Sequence, residues 1–434
     1  MKEKLISSIN RHQSLIGVIG LGYVGLPLAL RFSEAGYRVL GFDVDPAKAQ
    51  SIAQGLSYFS HIPNSLIDAA VKCGLRSTTD LGKIGKCDAI IICLPTPLGS
   101  HREPDLSFVL STMESLKSYL RPGQVICLES TTYPGTTEEE IVPRVEQVGL
   151  RVGRDIFVVY SPEREDPGNP LYSTRTIPKV VGGVTLGCLE VGEALYNQVI
   201  DEVVSVSSAR AAEMTKLLEN IHRAVNIGLV NELKIVTDKM DIDIFEVINA
   251  AATKPFGYTP YYPGPGLGGH CIPIDPFYLT WKAREFGVNT RFIELAGEVN
   301  TAMPSWVVSK VEQALNRRGK AVNGSKILIL GIAYKKDVND TRGSPGLEIL
   351  SMLAEKGALA DYHDPYVPTI PLMRGLKLTG ESLQLTERLL TDCDCVVVVT
   401  DHSNLDYDLI VQKAPLIVDT RNAFNKNLAK VVAA

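Results

Sequence analysis

The chain has 434 residues, of which 45% are hydrophobic and 21% are charged. This apolar content excludes a largely disordered chain, and the length predicts two to four domains. The formal net charge of −5, from 44 basic and 49 acidic residues, argues against a protein built mainly to bind nucleic acid or an anionic membrane. No apolar run approaches the ~18 residues that a membrane-spanning helix needs.

Residues 1–207 form the first predicted domain. An apolar strand at 15–19 leads through a glycine-rich turn into a helical pattern from Leu26 to Glu34, and a second strand ends at Asp43. Strands that alternate with helices predict a mostly parallel sheet covered on both faces. The further apolar runs of this domain lie at 89–94, 125–128, 157–160 and 179–181.

Residues 208–305 are helix-rich, with a Pro- and Gly-rich loop from Lys254 to Asp275. A 3.6-residue apolar period predicts a helix reaching about Lys239, with one stripe facing a core. This stripe comprises Met214, Leu217, Leu218, Ile221, Val225 and Leu229. A second strand–helix alternation occupies residues 320–434. The predicted fold is therefore α/β, with two Rossmann-like, doubly wound parallel-sheet domains joined by a central helical segment.

The eight cysteines are scattered, and residues 1–13 lack the apolar core of a secretory signal. We therefore expect free thiols and a reducing, cytoplasmic setting. Cys393 and Cys395 lie two residues apart, but the chain has no partner pair for them. We expect these two cysteines to share one face of a strand, and we predict no metal site.

The most familiar pattern is Gly20-x-Gly22-x-x-Gly25, placed between a strand and a helix. In a dinucleotide-binding turn Gly20 permits the tight bend, Gly22 lets the backbone approach a pyrophosphate, and Gly25 lets the helix pack on the strand. Asp43 lies where a carboxylate binds the adenosine ribose, which favours NAD over NADP. The alternative is a glycine-rich turn that binds no ligand.

Thr96 follows the third predicted strand of the first domain, in the sequence Cys93-Leu94-Pro95-Thr96-Pro97. The carboxyl edge of such a sheet is where ligands bind. Thr96 is therefore a candidate cofactor contact, and the alternative is a rigid proline turn.

The loop from Pro263 to Asp275 contains Cys271, beside His270. A loop of glycines and prolines is a poor place to bury a cysteine for packing, whereas a nucleophilic cysteine needs nearby N–H groups and cations. Asp275 is placed to activate a water or to hold a lysine. A purely structural cysteine remains the alternative.

Lys216 and Asn220 are four residues apart on the long predicted helix, and Arg223 extends the same face. A cation and a neutral hydrogen-bond donor are what a developing alkoxide requires. The alternative is a polar face in contact with solvent.

Several motifs in one order resemble the UDP-glucose/GDP-mannose dehydrogenase family. They are Gly20–Gly25, Ser130-Thr131, Ser161-Pro162-Glu163-Arg164, the segment from Glu213 to Asn220, Gly268–Asp275, Tyr334–Asp337 and Asp340-Thr341-Arg342. The resemblance implies oxidation of a sugar-nucleotide alcohol at C6 to a carboxylate, with two NAD per turnover and a covalent cysteine intermediate. It also implies a homodimer, formed through the central helices, or a higher homo-oligomer.

The same resemblance implies a role for each matching position. Cys271 matches the nucleophile, Lys216 and Asp275 the charged pair around the reacting oxygen and water, and Glu163 an acid tied to thioester formation and hydrolysis. Asn220 matches an oxyanion or sugar donor, and Thr131 a water or cofactor contact. The implied cofactor contacts are Gly20, Gly22, Tyr23, Val24, Gly25, Asp43, Lys48, Thr96, Thr131 and Arg342. The implied substrate contacts are Glu163, Arg164, Lys216, Asn220, Arg223, Tyr261, Gly268 and Lys335.

The chain departs from some relatives at Pro167, where they have a second acid. Lys254–Tyr262 looks like the branch that acts on UDP-N-acetylglucosamine; its aromatic rings either line an acetamido pocket or pack the loop. UDP-N-acetylmannosamine, UDP-N-acetylgalactosamine and UDP-glucose are the alternative substrates. The alternative classes are a two-electron NAD dehydrogenase, which leaves Cys271 unexplained, and a non-catalytic nucleotide-binding protein.

Overall fold

The computed structural model describes residues 1–59, 62–99, 101–164, 171–269, 272–371 and 378–434. The chain divides into two compact units. The first contains residues 1–219 and 277–288, and the second contains residues 220–276 and 289–434. None of the helices in these described ranges combines the length and apolar character needed to cross a lipid bilayer.

The first unit contains an eight-stranded sheet with the spatial order β3-β2-β1-β4-β5-β6-β7-β8. Neighbouring strands are parallel except for the antiparallel pair β6 and β7, and Gly17 of β1 lies in register with Leu40 and Ile90. The strands are β1 Leu15–Ile19, β2 Arg38–Phe42, β3 Arg76–Thr78, β4 Ala89–Ile92, β5 Val125–Leu128, β6 Phe157–Tyr160, β7 Lys179–Gly183 and β8 Val203–Val206.

Helices cover both faces of this sheet, which is why its central strands are apolar throughout. In β4, Ala89 and Ile91 belong to one apolar core and Ile90 and Ile92 to the other, as the two-residue period of a strand requires. The helices of this unit are α1 Lys2–Asn10, α2 Gly25–Glu34, α3 Pro46–Ala53, α4 Asn64–Lys72, α5 Ser107–Leu116, α6 Val142–Glu146 and α7 Leu186–Tyr196. Short 3₁₀ segments lie at Leu81–Lys86 and Lys117–Tyr119, and a π-helical turn at Thr137–Ile141.

The second unit contains a five-stranded parallel sheet with the order β10-β9-β11-β12-β13. Its strands are β9 Lys326–Leu330, β10 Leu359–His363, β11 Cys395–Val398, β12 Ile417–Asp419 and β13 Val431–Ala433. The remaining helices are α8 Ala209–Lys239, α9 Ile244–Ala252, α10 Asp275–Glu285, α11 Arg291–Asn316, α12 Pro345–Glu355, α13 Glu387–Asp392 and α14 Tyr407–Lys413. The residues of α8 and α10 are divided between the two units. The predicted α/β fold with two parallel-sheet domains and a central helical segment is confirmed.

The prediction that Cys393 and Cys395 share one strand face is wrong. Strand β11 begins at Cys395, whereas Cys393 is the residue that ends α13. Cys395 therefore packs in one apolar core of the second sheet and Cys393 in the other. The two-residue spacing gave a false indication because Cys393 lies before the strand, as the residue that caps α13. The seven described cysteines are free thiols, and Cys271 lies outside the described residues.

The apolar stripe predicted on α8 is only partly a core face. Leu217 and Ile221 are buried, but Leu218 is 59% exposed and Leu229 is 53% exposed. The buried face instead includes polar side chains, Lys216 and Asn220 among them. Periodicity locates the helix correctly but does not say which polar residues the surrounding structure covers.

A charged pair lies inside the first unit. The Lys179 ammonium is 2.9 Å from a Glu129 carboxylate oxygen, and both side chains are less than 10% exposed. The Tyr196 hydroxyl donates to the second Glu129 oxygen, and its ring lies 5.0 Å from the Lys179 nitrogen. Lys179 also donates to the Pro162 carbonyl, next to Glu163. Such a pair is satisfied only while both partners are present.

We expect Lys179→Met to lower the free energy of unfolding by about 3–5 kcal/mol, since it leaves the Glu129 charge buried and unpaired. The double variant Lys179→Met with Glu129→Gln should recover most of this loss, and urea unfolding measures both. Arg210→Met is the control, because the exposed Arg210–Glu138 pair should contribute less than about 1 kcal/mol. An equally small loss for Lys179→Met would contradict this role of the buried pair.

Candidate active site

The glycine-rich turn after β1 has the close contacts that its pattern predicts. Gly20 has φ +87°, and a Cβ there would lie 2.4 Å from the Cys93 carbonyl oxygen. A Cβ on Gly25 would lie 1.8 Å from the Gly20 oxygen, whereas a Cβ on Gly22 would meet nothing within 4 Å among the described atoms. Gly20 and Gly25 therefore close the turn, and Gly22 leaves open space above it. The turn leads into α2, whose N-terminal N–H groups suit a pyrophosphate.

Asp43 follows β2 beside this turn, as predicted. One carboxylate oxygen accepts the Leu21 N–H at 2.9 Å and lies 3.1 Å from the Lys48 ammonium, while the other accepts the Asp45 N–H at 3.0 Å. An ionised carboxylate has about four acceptor positions, so acceptor capacity remains for a ribose hydroxyl. The structure thus brings Asp43 and Lys48 together at the turn. The rings of Tyr23 and Phe59 contact each other in a tilted arrangement, with centroids 4.4 Å apart.

The segment after β4 is held by a buried tyrosine of α10. The Tyr278 hydroxyl donates to the Thr96 carbonyl at 2.9 Å, and the Thr96 side chain is buried. Sequence reasoning did not identify Tyr278, because 182 residues separate it from Thr96. Thr96 is therefore part of a braced segment at the carboxyl edge of the sheet.

Lys216 and Glu163 meet in the first unit. The Lys216 ammonium donates to a Glu163 carboxylate oxygen at 2.9 Å, and the two side chains are 5% and 11% exposed. The interpretation of Lys216 as part of a solvated helix face is therefore wrong. Arg164, the neighbour of Glu163, binds the Glu219 carboxylate and the Pro178 carbonyl, both at 2.6 Å. Two pairs thus join the Glu163–Arg164 segment to α8.

A buried carboxylate on α8 holds the loop after β5, which contains Thr131. Glu213 accepts the N–H groups of Gly135 and Thr137 at 2.6 and 2.9 Å, and the Thr137 hydroxyl at 2.7 Å. Burial raises the pKa of the Glu213 carboxyl to about 7, although these hydrogen bonds favour its charged form. Glu213 is the first residue of the Glu213–Asn220 motif. The sequence gives no indication of its contact with the loop after β5.

In the second unit, Asn220 and Asp275 are joined directly. The Asn220 amide donates to an Asp275 carboxylate oxygen at 2.5 Å, and Asp275 is fully buried as the first residue of α10. A carboxylate at this end of a helix is favoured by the helix dipole. Arg223, which was predicted to extend this face, is exposed. Only the first two members of the predicted polar stripe are therefore buried.

The backbone before Cys271 packs tightly in the second unit, and this explains its glycines. A Cβ on Gly268 would lie 2.6 Å from the Tyr334 Cβ, and Gly269 has φ +86°. The Gly269 N–H donates to the Arg342 carbonyl at 2.8 Å. The Gly268–Asp275 and Tyr334–Arg342 motifs, far apart in the sequence, thus meet. Cys271 and His270 themselves lie outside the described residues, as do Glu165, Asp166 and Pro167.

Three further predicted contact residues, Arg342, Tyr261 and Lys335, lie in the second unit. The Arg342 guanidinium is bonded to the Asp340 carboxylate, with a shortest distance of 2.6 Å. The Tyr261 hydroxyl lies 3.0 Å from Nδ1 of His222. Lys335 lies on the loop after β9 and is partly exposed. These contacts orient Arg342 and Tyr261 within the second unit.

Arg421 is a residue that the sequence interpretation missed. Its Nε donates to the Val399 carbonyl at 2.8 Å, and a Cβ on Gly264 would lie 2.8 Å from its Nη1. The Gly264 N–H is itself bound by the Asn231 side chain at 2.9 Å. Arg421 thus packs against the start of the loop that leads to Cys271. Its position after β12, at the carboxyl edge of the second sheet, is the signal that could have found it.

A glycine cradle beside an acid that follows the second strand, on a doubly wound sheet, is typical of a dinucleotide-binding domain. Three family models divide the chain between them. The NAD binding domain of the UDP-glucose/GDP-mannose dehydrogenase family matches residues 14–200, its central domain residues 210–302 and its UDP binding domain residues 328–426. The chain belongs to this family.

Relatives of known activity agree with this assignment. The chain is 36% identical over 366 residues to a UDP-N-acetyl-D-glucosamine 6-dehydrogenase of Pseudomonas aeruginosa, covering 84% of this chain and 86% of that protein. It is 31% identical to a UDP-N-acetyl-D-mannosamine dehydrogenase of Methanococcus maripaludis, covering 96% and 94%. The solved UDP-D-ManNAc dehydrogenase of Pyrococcus horikoshii superposes with a TM-score of 0.86 at 29% identity, covering 96% of this chain and 98% of that one.

The protein is therefore an oxidoreductase of the UDP-sugar dehydrogenase class that uses NAD. The residues of the first unit fit the cofactor, because the turn at Gly22 is open and Asp43 retains acceptor capacity. When bound, NAD supplies the hydride acceptor. The cradle residues would hold and orient it.

We expect Asp43→Ala to raise the KM for NAD about tenfold to a hundredfold. The preference of the enzyme for NAD over NADP should become smaller. The reason is the loss of hydrogen bonds to a charged acceptor, each of which contributes ~1.5–3 kcal/mol of binding free energy. Steady-state kinetics with both cofactors measures this. Asp45→Ala is the control, because Asp45 caps α3 two residues away. An unchanged KM for NAD in Asp43→Ala would exclude contact with the ribose.

Proposed function

We propose that the protein oxidises the C6 hydroxyl of a UDP-sugar to a carboxylate in two successive oxidations, with Cys271 as a covalent nucleophile and UDP-N-acetylglucosamine as the substrate. The observation that carries this proposal is the burial of polar groups on α8. As whole residues, Lys216 and Asn220 are 4% and 8% exposed. Each is hydrogen-bonded to an acid from a predicted catalytic motif. Burying such groups costs free energy unless they are paired, and here both paired acids come from the Glu163 and Asp275 motifs.

Lys216 is proposed to stabilise the alkoxide that develops as the alcohol loses hydride. Its ammonium is desolvated, so its field acts on the developing charge more strongly than it would in water. Glu163 holds this ammonium at 2.9 Å and therefore fixes its direction. Asn220 is a neutral donor one turn further along α8, and Asp275 orients its amide.

The cysteine accounts for the second oxidation. The first hydride loss produces an aldehyde, and the Cys271 thiolate adds to its carbonyl carbon to form a thiohemiacetal. A second hydride loss produces a thioester, and water then cleaves the C–S bond to release the carboxylate and regenerate the thiol. Asp275 and Glu163 are the proposed acids that handle the protons of this hydrolysis. Each hydride goes to NAD, so two NADH are expected per substrate.

We expect the wild-type enzyme to produce two NADH per UDP-sugar and Cys271→Ser to produce no free carboxylate while binding both nucleotides. A serine hydroxyl is a weaker nucleophile and its alkoxide a poorer leaving group than a thiolate. Single-turnover absorbance, with mass spectrometry of the product and protein, measures this. Cys73→Ser, at an exposed free cysteine, is the control. Near-normal steady-state NADH production by Cys271→Ser would contradict the covalent mechanism, whereas one NADH per substrate in the wild type would indicate a two-electron dehydrogenase.

The identity of the sugar is proposed from the segment Lys254–Tyr262, which precedes the loop that leads to Cys271. Tyr261 and Tyr262 brace the segment, since their hydroxyls bind His222 and Asn249. Phe256 is 72% exposed and Tyr258 is 38% exposed, so their rings retain surface that an acetamido group can contact. The Pseudomonas aeruginosa relative acts on UDP-N-acetylglucosamine, which supports this choice over the mannosamine epimer, whose relatives are somewhat less identical.

We expect kcat/KM to be higher for UDP-N-acetylglucosamine than for UDP-glucose. Packing around the acetyl methyl gives ~10–200-fold discrimination, and hydrogen bonds to the acetamido group give up to ~10⁴–10⁵. Phe256→Ala or Tyr258→Ala should reduce the ratio if these rings contact the group, and Phe108→Ala, at an exposed ring of α5, should not. Equal kcat/KM for the two sugars would contradict the acetamido assignment and leave the cysteine mechanism intact.

A homodimer is proposed from the exposed apolar side of α8. Leu229, Leu233, Val236 and Met240 are 40–61% exposed and recur at intervals of four, three and four residues. The first three positions form one stripe of α8, and Met240 directly follows the last helical residue, Lys239. Exposed apolar side chains on one side of a helix are typical of a surface that a partner covers. A second copy of the chain is the proposed partner.

A further inference from the structure

A fully buried histidine lies beneath the loop that carries Lys335. His402 follows β11, and its side chain is 0% exposed. Its Nδ1 accepts the Asp337 N–H at 2.9 Å, and its Nε2 lies 3.1 Å from a carboxylate oxygen of Asp364. Because Nδ1 accepts a hydrogen bond, the proton of the neutral ring is on Nε2 and is donated to Asp364. The ring therefore bridges the loop after β9 and the end of β10.

Asp364 receives donors from the glycine turn of the second unit. The oxygen that His402 contacts also accepts the N–H groups of Ile332 and Ala333, at 2.7 and 2.8 Å. The other oxygen accepts the N–H groups of Tyr366 and Val367. Although burial acts to raise it, the pKa of Asp364 is lowered by the hydrogen bond from His402 and by these backbone groups. This buried carboxylate thus fixes the start of the loop.

Asp337 fixes the end of the same loop. Its φ is +61°, in the left-handed region that residues other than glycine seldom adopt. Its two carboxylate oxygens accept the Ser403 N–H at 2.8 Å and the Ser403 hydroxyl at 2.7 Å. Together with the bond from its own N–H to His402, these contacts maintain the unusual conformation. Lys335 lies between the two fixed points, two residues before Asp337.

We propose that His402 is a positioning residue for nucleotide binding: by holding the Asp337 N–H and the Asp364 carboxylate, it fixes the Gly331–Asp337 loop so that Lys335 meets the diphosphate of the UDP-sugar. His402 has no exposed surface, so it acts through the loop and not by contact with the ligand. A lysine binds phosphate as a point charge, and holding its backbone reduces the ordering that binding requires. This inference rests on the proposed function, with the substrate contact that the family resemblance implies for Lys335.

Two substitutions separate the two hydrogen bonds of His402. The amide oxygen of Asn occupies a position equivalent to Nδ1 and can still accept the Asp337 N–H. The amide nitrogen of Gln occupies a position equivalent to Nε2 and can still donate to Asp364. We expect His402→Gln to weaken UDP binding about tenfold or more, because the Asp337 N–H loses its acceptor. We expect His402→Asn to stay within about threefold of the wild type, because Asp364 keeps its four backbone N–H donors. Titration calorimetry of the whole chain with UDP measures both.

The affinity for NAD, titrated in the same variants, should remain unchanged, and in steady state KM for the UDP-sugar should rise while kcat at saturation is retained. His363→Asn is the matched control, because the His363 side chain binds the Leu383 carbonyl and not the loop. If the His402 variants do not fold, Ser403→Ala tests the same point, since it removes one bond to Asp337 at an exposed position. It should raise KM severalfold.

The inference is overturned if His402→Gln and Ser403→Ala both bind UDP as the wild type does. It is also overturned if NAD and UDP affinities fall together, since that reports a general loss of structure. A wild-type protein that binds NAD but not UDP contradicts the proposed function itself, and the inference with it. The wild-type titration therefore distinguishes failure of the proposed function from failure of the His402 inference.

Discussion

Both units depend on one constraint. A sharp turn follows the strand that comes first in the sequence of each sheet, β1 or β9, and leaves N–H groups without a backbone acceptor. An aspartate that directly follows the next strand, β2 or β10, accepts them. Gly20 and Gly331 have φ values of +87° and +80°, and each donates its N–H to the last residue of the neighbouring strand. Asp43 and Asp364 then accept the N–H groups that follow. The turn, the acid and the sheet edge thus form one hydrogen-bonded assembly in each unit.

The two assemblies differ in the hydrogen-bond acceptor capacity that the aspartate retains. Asp43 accepts two N–H groups and contacts Lys48, so it keeps acceptor capacity for a ribose. Asp364 accepts four N–H groups and contacts His402, so it is saturated and buried. The first acid can therefore recognise a ligand, whereas the second serves the structure of its loop. This difference is consistent with an NAD domain and a UDP domain built on the same sheet pattern.

Buried charge is the second organising feature, and three buried groups of the described residues show how it is paired. Lys216 with Glu163 and Lys179 with Glu129 lie in the first unit, and Asn220 with Asp275 lies in the second. Removing water strengthens the field of each group but makes an unpaired partner costly. The same desolvation that would make Lys216 effective on an alkoxide therefore also requires Glu163 to be present.

The sequence by itself determined the α/β class, most strand positions, the glycine cradle and the family motifs. These features depend on local periodicity and on residue types that a tight turn demands, so they can be read along the chain. Only the tertiary structure decided that Lys216 is buried, that Leu218 and Leu229 are exposed, that Cys393 and Cys395 lie in different cores, and that Arg421, Tyr278 and His402 support loops far away in sequence. The physical reason is that burial and pairing depend on which distant segment covers a residue, and no local pattern records that segment.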